Sequence, residues 1–289
     1  MKKWVKIVIN KSNRITKINK NKNFEDFVEE DRIKKGHEEG GYTSNQYYKD
    51  KDIFFNYYLK GRCLILNNYL RDNLYSEKEI LSLGAGRGIN ELSLISNNYN
   101  ITCSDIEIPQ CYEASKKIFG DFKYVKFDIL KDKIQSKFDY IFSLSTFYLF
   151  NDKELEKILI NINNILNKDG ILILEFPGSE DNLTSFIFHE IFLVMEVYII
   201  YYLSKLLNKK IGFTIDNNFG YRRKNKEIEK FAKKYGFQLI EIKEYDYLEE
   251  LKRSIFIEKI IKHFPKSKKI FSFFGKQIPY VRMFKFKKE

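Results

Sequence analysis

The run Glu79-Ile80-Leu81-Ser82-Leu83-Gly84-Ala85-Gly86-Arg87-Gly88-Ile89-Asn90-Glu91-Leu92 joins an apolar strand to a glycine-rich turn and then to a helix-compatible segment. Such a turn lets a ligand come close to the backbone and aims helix N-terminal amides at it. The spacing is G-x-G-x-G. Ile89 stands where a dinucleotide fingerprint carries its third glycine, which argues against a nicotinamide cofactor, and no Gly-Lys-Ser/Thr follows to make a phosphate-binding P-loop. Asp105 ends the next apolar run, 21 residues beyond Gly84. A carboxylate at the carboxyl edge of a second strand is where both hydroxyls of a ribose can donate to one acid. Asp128 closes Tyr124-Val125-Lys126-Phe127 in the same way and is placed to accept from the exocyclic amine of an adenine. Either acid alone reads better as a cap of the following helix. The glycine turn and two acids at three successive strand ends read together as one ligand site.

These residues need a parallel sheet to bring them to one edge, and the sequence supplies its pattern. Short apolar strands are expected at 79–83, 101–104, 124–127, 140–144 and 171–176, with helical segments between them. The clearest helix is 152–166. Asn151 caps its first turn, Leu155, Ile158, Leu159, Ile162 and Leu166 fall on one face, and Gly170 follows its end. One or two helices precede the sheet at 47–74. After Pro177-Gly178 an aromatic helix is expected at 183–207, then a loop or short hairpin at 209–221, a helix at 226–235, a strand at 237–242, a helical insertion near 248–263 and a last strand at 280–286. Residues 1–40 read as a basic N-terminal arm with a strand-like opening at 4–9. Residues 41–289 read as one domain with insertions at about 179–222 and 246–272.

A chain of 289 residues with 44% hydrophobic residues, 4 Pro and 14 Gly excludes collagenous and disordered classes. Three scattered cysteines, Cys63, Cys103 and Cys111, make neither a disulfide framework nor a zinc motif, so no metal is expected and a reducing, cytoplasmic setting is the default. The formal charge of +12 is uneven. Residues 205–289 hold 23 Lys+Arg against 10 Asp+Glu, and residues 1–35 hold 11 against 5. Basic flanks attract anionic partners, although codon bias toward Lys, Asn and Ile produces the same excess. The stretch 183–203 contains His189, Glu190 and Glu196, groups that are costly inside a bilayer, and strands expected in one sheet lie on both sides of it. It is therefore not read as a membrane span.

On these motifs the chain resembles the class I S-adenosylmethionine-dependent methyltransferases, over about residues 42–176 and the closing strands. The resemblance implies an α/β, Rossmann-like seven-stranded sheet with an N-terminal helical segment and helical lid insertions. It implies cofactor contacts from Gly84, Ala85, Gly86 and Gly88, from Asp105 and Ile106 at the ribose, from Asp128 and Ile129 at the adenine, and from Ser143 at the end of the fourth strand. Phe138 to Ser145 is similar to that strand, Lys168-Asp169-Gly170 stands before the fifth, and Phe274 to Lys288 looks like the terminal hairpin strand. Two positions depart from the pattern. Ser82 replaces the acid that often precedes the glycine motif, and Tyr148-Leu149 replaces the histidine often found after the fourth strand.

The implied reaction is O- or N-methylation of a small-molecule or lipid- or saccharide-linked acceptor. Displacement at a sulfonium requires alignment and exclusion of water, with a base only where the acceptor must lose a proton. His189, Glu190 and Tyr148 are the candidate bases. The aromatic helix would cap the acceptor or bury a homodimer face. Tyr221-Arg222-Arg223-Lys224 is a compact basic cluster suited to phosphate or carboxylate. With the +13 of the C-terminal region it points to an anionic acceptor and to peripheral contact with the inner membrane face. The alternatives are an RNA methyltransferase and an S-adenosylmethionine-binding protein without turnover. Nucleic acid ranks behind small molecules, because the fourth strand lacks the [DN]-P-P-[YF] loop and the Pro-Cys nucleophile of base-modifying members.

Overall fold

The computed structural model describes residues 5–10, 51–57, 59, 61–109, 111–177, 183–206, 211–216, 221, 223–245, 247–252 and 254–289. Two compact units result. One gathers Asn23–Phe176, Glu229–Lys243 and Met283–Glu289; the other gathers Met1–Lys22, Pro177–Ile228 and Glu244–Arg282. Most of the basic arm and Arg222 lie outside the described residues.

All seven expected strands form, in one sheet of order β4-β3-β2-β5-β6-β9-β8. They are β2 (Ile80–Leu83), β3 (Ile101–Asp105), β4 (Lys123–Lys126), β5 (Phe138–Ser143), β6 (Leu166–Pro177), β8 (Phe237–Tyr245) and β9 (Val281–Lys288). Strands β3, β4, β5 and β6 pair in parallel around β2, with Ile80 opposite both Ile101 and Tyr140. β2 is buried along its whole length, as its unbroken apolar character requires for a strand covered on both faces. The order reverses beside β2, with β3 on one side and β5 on the other. In open α/β sheets that switch point is where a crevice opens for ligands.

Helices α1 (Lys51–Tyr57) and α2 (Arg62–Asn73) precede the sheet, and α3 (Ile89–Ile95), α4 (Tyr112–Phe119) and α5 (Asp152–Ile165) connect its strands. Phe54 of α1 packs with Leu92, Cys111 and Phe119, so the N-terminal segment joins the core around α3 and α4. The start of α5 is held reciprocally. The Asn151 side chain accepts the Glu154 N–H at 3.0 Å and the Glu154 carboxylate accepts the Asn151 N–H at 2.8 Å. The apolar face of α5, Leu155, Ile158, Leu159, Ile162 and Ile165, is buried.

The segment expected as a loop or hairpin at 209–221 contains instead a strand, β7 (Ile211–Asp216), paired in parallel with β1 (Val5–Asn10). β7 alternates apolar and other residues, β1 carries the apolar run Ile7-Val8-Ile9, and each lies far in sequence from its partner, so local turn signals could not reveal the pairing. The aromatic stretch forms α6 (Leu183–Phe186), a π-helical turn (Ile187–Phe192) and α7 (Leu193–Leu206). Among the described residues no helix is long and apolar enough to cross a membrane. The remaining helices are α8 (Asn225–Lys234), α9 (Tyr247–Leu251), α10 (Ile255–His263) and α11 (Lys268–Gly275).

Candidate functional site

The carboxyl end of β2 turns through Gly84, Gly86 and Gly88, whose φ angles are 71°, 56° and 73°. This left-handed region costs any other residue about 1–2 kcal/mol. Gly84 has a second reason to be glycine. A Cβ there would lie 2.4 Å from Thr146 Oγ1 and 2.7 Å from its Cγ2, so the turn is pressed against the segment that follows β5.

Asp105 organises the other side. Its Oδ2 accepts the Gly86 N–H at 2.8 Å and its Oδ1 accepts the Ile106 N–H at 2.7 Å. A carboxylate offers about four acceptor positions, so two remain for further donors such as a pair of hydroxyls. Burial pushes the Asp105 carboxyl above its ordinary range, against the two amide bonds that favour the ionised form. The Ala85 N–H donates to Ser104 at 2.9 Å, and the Tyr124 hydroxyl donates to the Gly86 carbonyl at 2.8 Å. Gly84, Ala85, Gly86, Gly88, Asp105 and Ile106 thus come together as one backbone cradle closed by one acid. No pattern in the sequence marked Tyr124 or Thr146, because neither lies within the turn.

Asp128 stands at the end of the neighbouring strand with its own local duties. Its Oδ1 accepts the Leu130 N–H at 2.9 Å and its N–H donates to Asp132 Oδ2 at 2.7 Å. Ile129 beside it is buried. The Ser143 hydroxyl donates to the Leu83 carbonyl at 2.8 Å, so its side chain ties β5 to the last residue of β2.

Ser82 donates to Glu91 Oε1 at 2.6 Å, which brings a carboxyl from α3 against the position where the family pattern has its strand acid. Glu91 is fully enclosed. Burial foremost, with help from the negative charge of Asp105 and against the Ser82 hydrogen bond, moves its pKa from 4.5 to about 7.

A further cluster lies past β5. Ser145 has φ 58°, an uncommon conformation for a serine. Its N–H donates to Glu175 Oε2 at 2.8 Å, and Arg62 from α2 reaches both the Ser145 hydroxyl at 2.7 Å and Glu175 Oε2 at 2.6 Å. Glu175 is completely buried.

Tyr148 lies half-buried on a single 3-10 turn, Phe147–Leu149, after this cluster. His189 and Glu190 lie in the π-helical turn of the other unit, and their side chains are outside the described residues. In the basic cluster at 221–224, Lys224 is exposed and Arg222 lies outside the described residues. Arg223 is only 4% exposed, sits over the Tyr221 ring at 5.4 Å, and gives its carbonyl to Arg282. Among the described residues no group of His, Cys, Asp or Glu could hold a metal ion, and all three cysteines are free thiols.

Comparison with known proteins bears on this geometry. Residues 80–170 match the family model described as a methyltransferase domain. No curated protein matches the chain. Among solved structures, 1,6-didemethyltoxoflavin-N1-methyltransferase from Burkholderia thailandensis is similar with a TM-score of 0.52 at 12% identity, over 92% of this chain and 86% of that one. The cyclopropane synthase MmaA2 from Mycobacterium tuberculosis gives 0.52 at 16% identity, over 78% and 84%. Coclaurine N-methyltransferase, bound to N-methylheliamine and S-adenosylhomocysteine, gives 0.51 at 14% identity, over 78% and 72%. The matched segment runs from β2 through the glycine turn, Asp105, Asp128 and the Ser143–Thr146 edge, so over residues 80–170 the chain is similar to a methyltransferase domain, and its sheet has the fold of these methyltransferase neighbours.

Proposed function

We propose that the chain transfers the methyl group of S-adenosylmethionine to a small-molecule acceptor, on nitrogen or oxygen. The observation that carries this reading is the glycine cradle closed by Asp105, whose carboxylate keeps two acceptor positions beyond those taken by Gly86 and Ile106. When bound, S-adenosylmethionine supplies an electrophilic methyl on a sulfonium. The cradle would hold the cofactor with backbone amides, Asp105 would take the ribose hydroxyls, and Asp128 with Ile129 would border the adenine. Ser143 acts beneath the site by fixing β5 to β2. Tyr148, His189 and Glu190 remain the candidate bases for a hydroxyl acceptor, whereas an amine acceptor with a free lone pair needs none.

Small molecules are favoured over nucleic acid by the residues after β5. Ser145-Thr146-Phe147-Tyr148 offers no amide-proline clamp for a flipped base amine. The fold neighbours named for a toxoflavin precursor and for coclaurine lend support of the same kind. The deciding experiment supplies methyl-labelled S-adenosylmethionine with pools of small amines, phenols, carboxylic acids and lipid extract, and with total RNA in parallel. Label entering the small-molecule or lipid fraction is expected. Label entering RNA alone would establish the rival, and calorimetry showing tight NAD binding in place of S-adenosylhomocysteine would remove the cofactor reading itself.

A further inference from the structure

We infer that helices α10 and α11 form a docking surface for an anionic lipid bilayer. The two helices have an inner and an outer side that differ sharply. Inward, Ile257, Ile261 and Phe271 pack with Leu251, Phe188 and Ile278 of the same unit. Gly275 is so close to α9 that a Cβ would lie 3.0 Å from Leu251 Cδ1 and from the Tyr247 carbonyl. Outward, the apolar character continues where a monomer in water has no use for it. Phe264 is 68% exposed, Ile270 61%, Phe273 69% and Phe274 59%. An exposed apolar patch of this kind marks an interaction surface.

The charge around the patch identifies the occupant. Residues 255–276 carry six lysines and one acid, Glu258. Lys266, Lys268, Lys269 and Lys276 line a shallow groove together with Pro265, Ser272 and Phe273. Apolar side chains ringed by long cationic ones suit a bilayer interface, where the rings enter the acyl boundary and the ammonium groups reach phosphate headgroups. A second copy fits poorly, because a two-fold contact across this face would oppose one set of lysines to another. The two exposed rings also suit lipid better than stacked bases. Phe273 and Phe274 meet edge to face at 5.6 Å and 81°, which makes a compact apolar knob and not a parallel platform. A bilayer-docking surface goes beyond the methyltransferase reading, which stands whether or not the chain meets a membrane.

The test is flotation of the full chain with phosphatidylglycerol-containing vesicles and with pure phosphatidylcholine vesicles, at low and physiological salt. Binding only to the anionic vesicles is expected. Phe273→Ser with Phe274→Ser, and separately Lys266→Glu with Lys269→Glu, should each weaken it at least tenfold. Lys230→Glu with Lys233→Glu on α8 should leave it unchanged, with S-adenosylhomocysteine affinity equal in all proteins. Hydrogen exchange of the wild-type chain, which needs no variant to fold, should slow in 255–276 when vesicles are added. Absence of vesicle binding, binding that ignores the Phe substitutions, or protection elsewhere in the chain overturns the inference. Retention of RNA lost with the same lysines, without vesicle binding, assigns the surface to nucleic acid instead.

Discussion

Glu91→Gln should change how the stability of this protein depends on pH, in a direction fixed by the environment of the carboxyl. In the unfolded chain Glu91 titrates near 4.5, and in the folded protein near 7. Between those values the folded state holds a proton that the unfolded state has released, so stability falls as pH rises. The contribution is fully present below 4.5, declines across the window from 4.5 to about 7 and is lost above it. At about 1.4 kcal/mol per pH unit, the separation amounts to roughly 3 kcal/mol. Glutamine keeps a carbonyl to accept from Ser82 and cannot ionise, so it lacks this slope. Urea unfolding followed by circular dichroism at pH 5 and pH 8 measures the effect. The variant and the wild type should be of similar stability at pH 5, with the variant ahead by up to about 3 kcal/mol at pH 8. Ser82→Ala provides a second arm, since losing the hydroxyl that favours the ionised form should extend the decline to higher pH. A difference between Glu91→Gln and wild type that stays constant from pH 5 to pH 8 would refute the assignment of a proton to this buried pair.

Gly84→Ala should cost about 2–5 kcal/mol, combining a left-handed φ with overpacking against Thr146. Adding Thr146→Gly should recover the steric part and not the backbone part, and strictly additive unfolding energies would count against the close approach. Asp105→Ala should weaken S-adenosylhomocysteine binding by about 1–3 kcal/mol in calorimetry, and an unchanged affinity would take the ribose role away from it. Arg62→Met strands the buried Glu175 carboxylate and should destabilise by about 3 kcal/mol. Pairing it with Glu175→Met should restore much of the loss in the same melts, and failure to do so would show that Ser145 depends on the carboxylate itself.

The sheet was legible because strand period, glycine turns and crossover helices are all local signals. Asn151 and Glu154 announce α5, and the apolar runs announce β2 through β6. Pairing between distant segments leaves no such mark, which is why 211–216 reads as a loop until β1 is placed beside it. At the site, glycines and acids are chemically conspicuous, and Gly84, Gly86 and Asp105 do meet. Ordinary residues that brace them are not conspicuous. Tyr124 reaches Gly86 across 38 positions, and Thr146 faces Gly84 across 62. Arg223 shows that composition does not reveal burial, since this charged residue is enclosed and lies over the Tyr221 ring.

Seen from the cradle, these inconspicuous residues explain how a turn of three glycines keeps one shape. Glycines supply access to the backbone at the cost of conformational freedom, so the turn must be held from outside. Asp105 fixes the Gly86 N–H and Tyr124 fixes its carbonyl, which locks that peptide neighbourhood from the β3 and β4 side. Thr146 closes on Gly84 from the β5 side, where Ser143 has already tied the strand to Leu83. Beneath the turn, Ser82 and Glu91 join the strand that enters it to the helix that leaves it. The positive end of the helix dipole favours the ionised form of a first-turn carboxyl, so it works with the Ser82 hydrogen bond and against burial. A carboxyl from the helix, Glu91, thus lies against Ser82 and accepts a hydrogen bond from its hydroxyl. With a serine at position 82 the turn is braced through a buried carboxyl whose proton is held to near neutral pH.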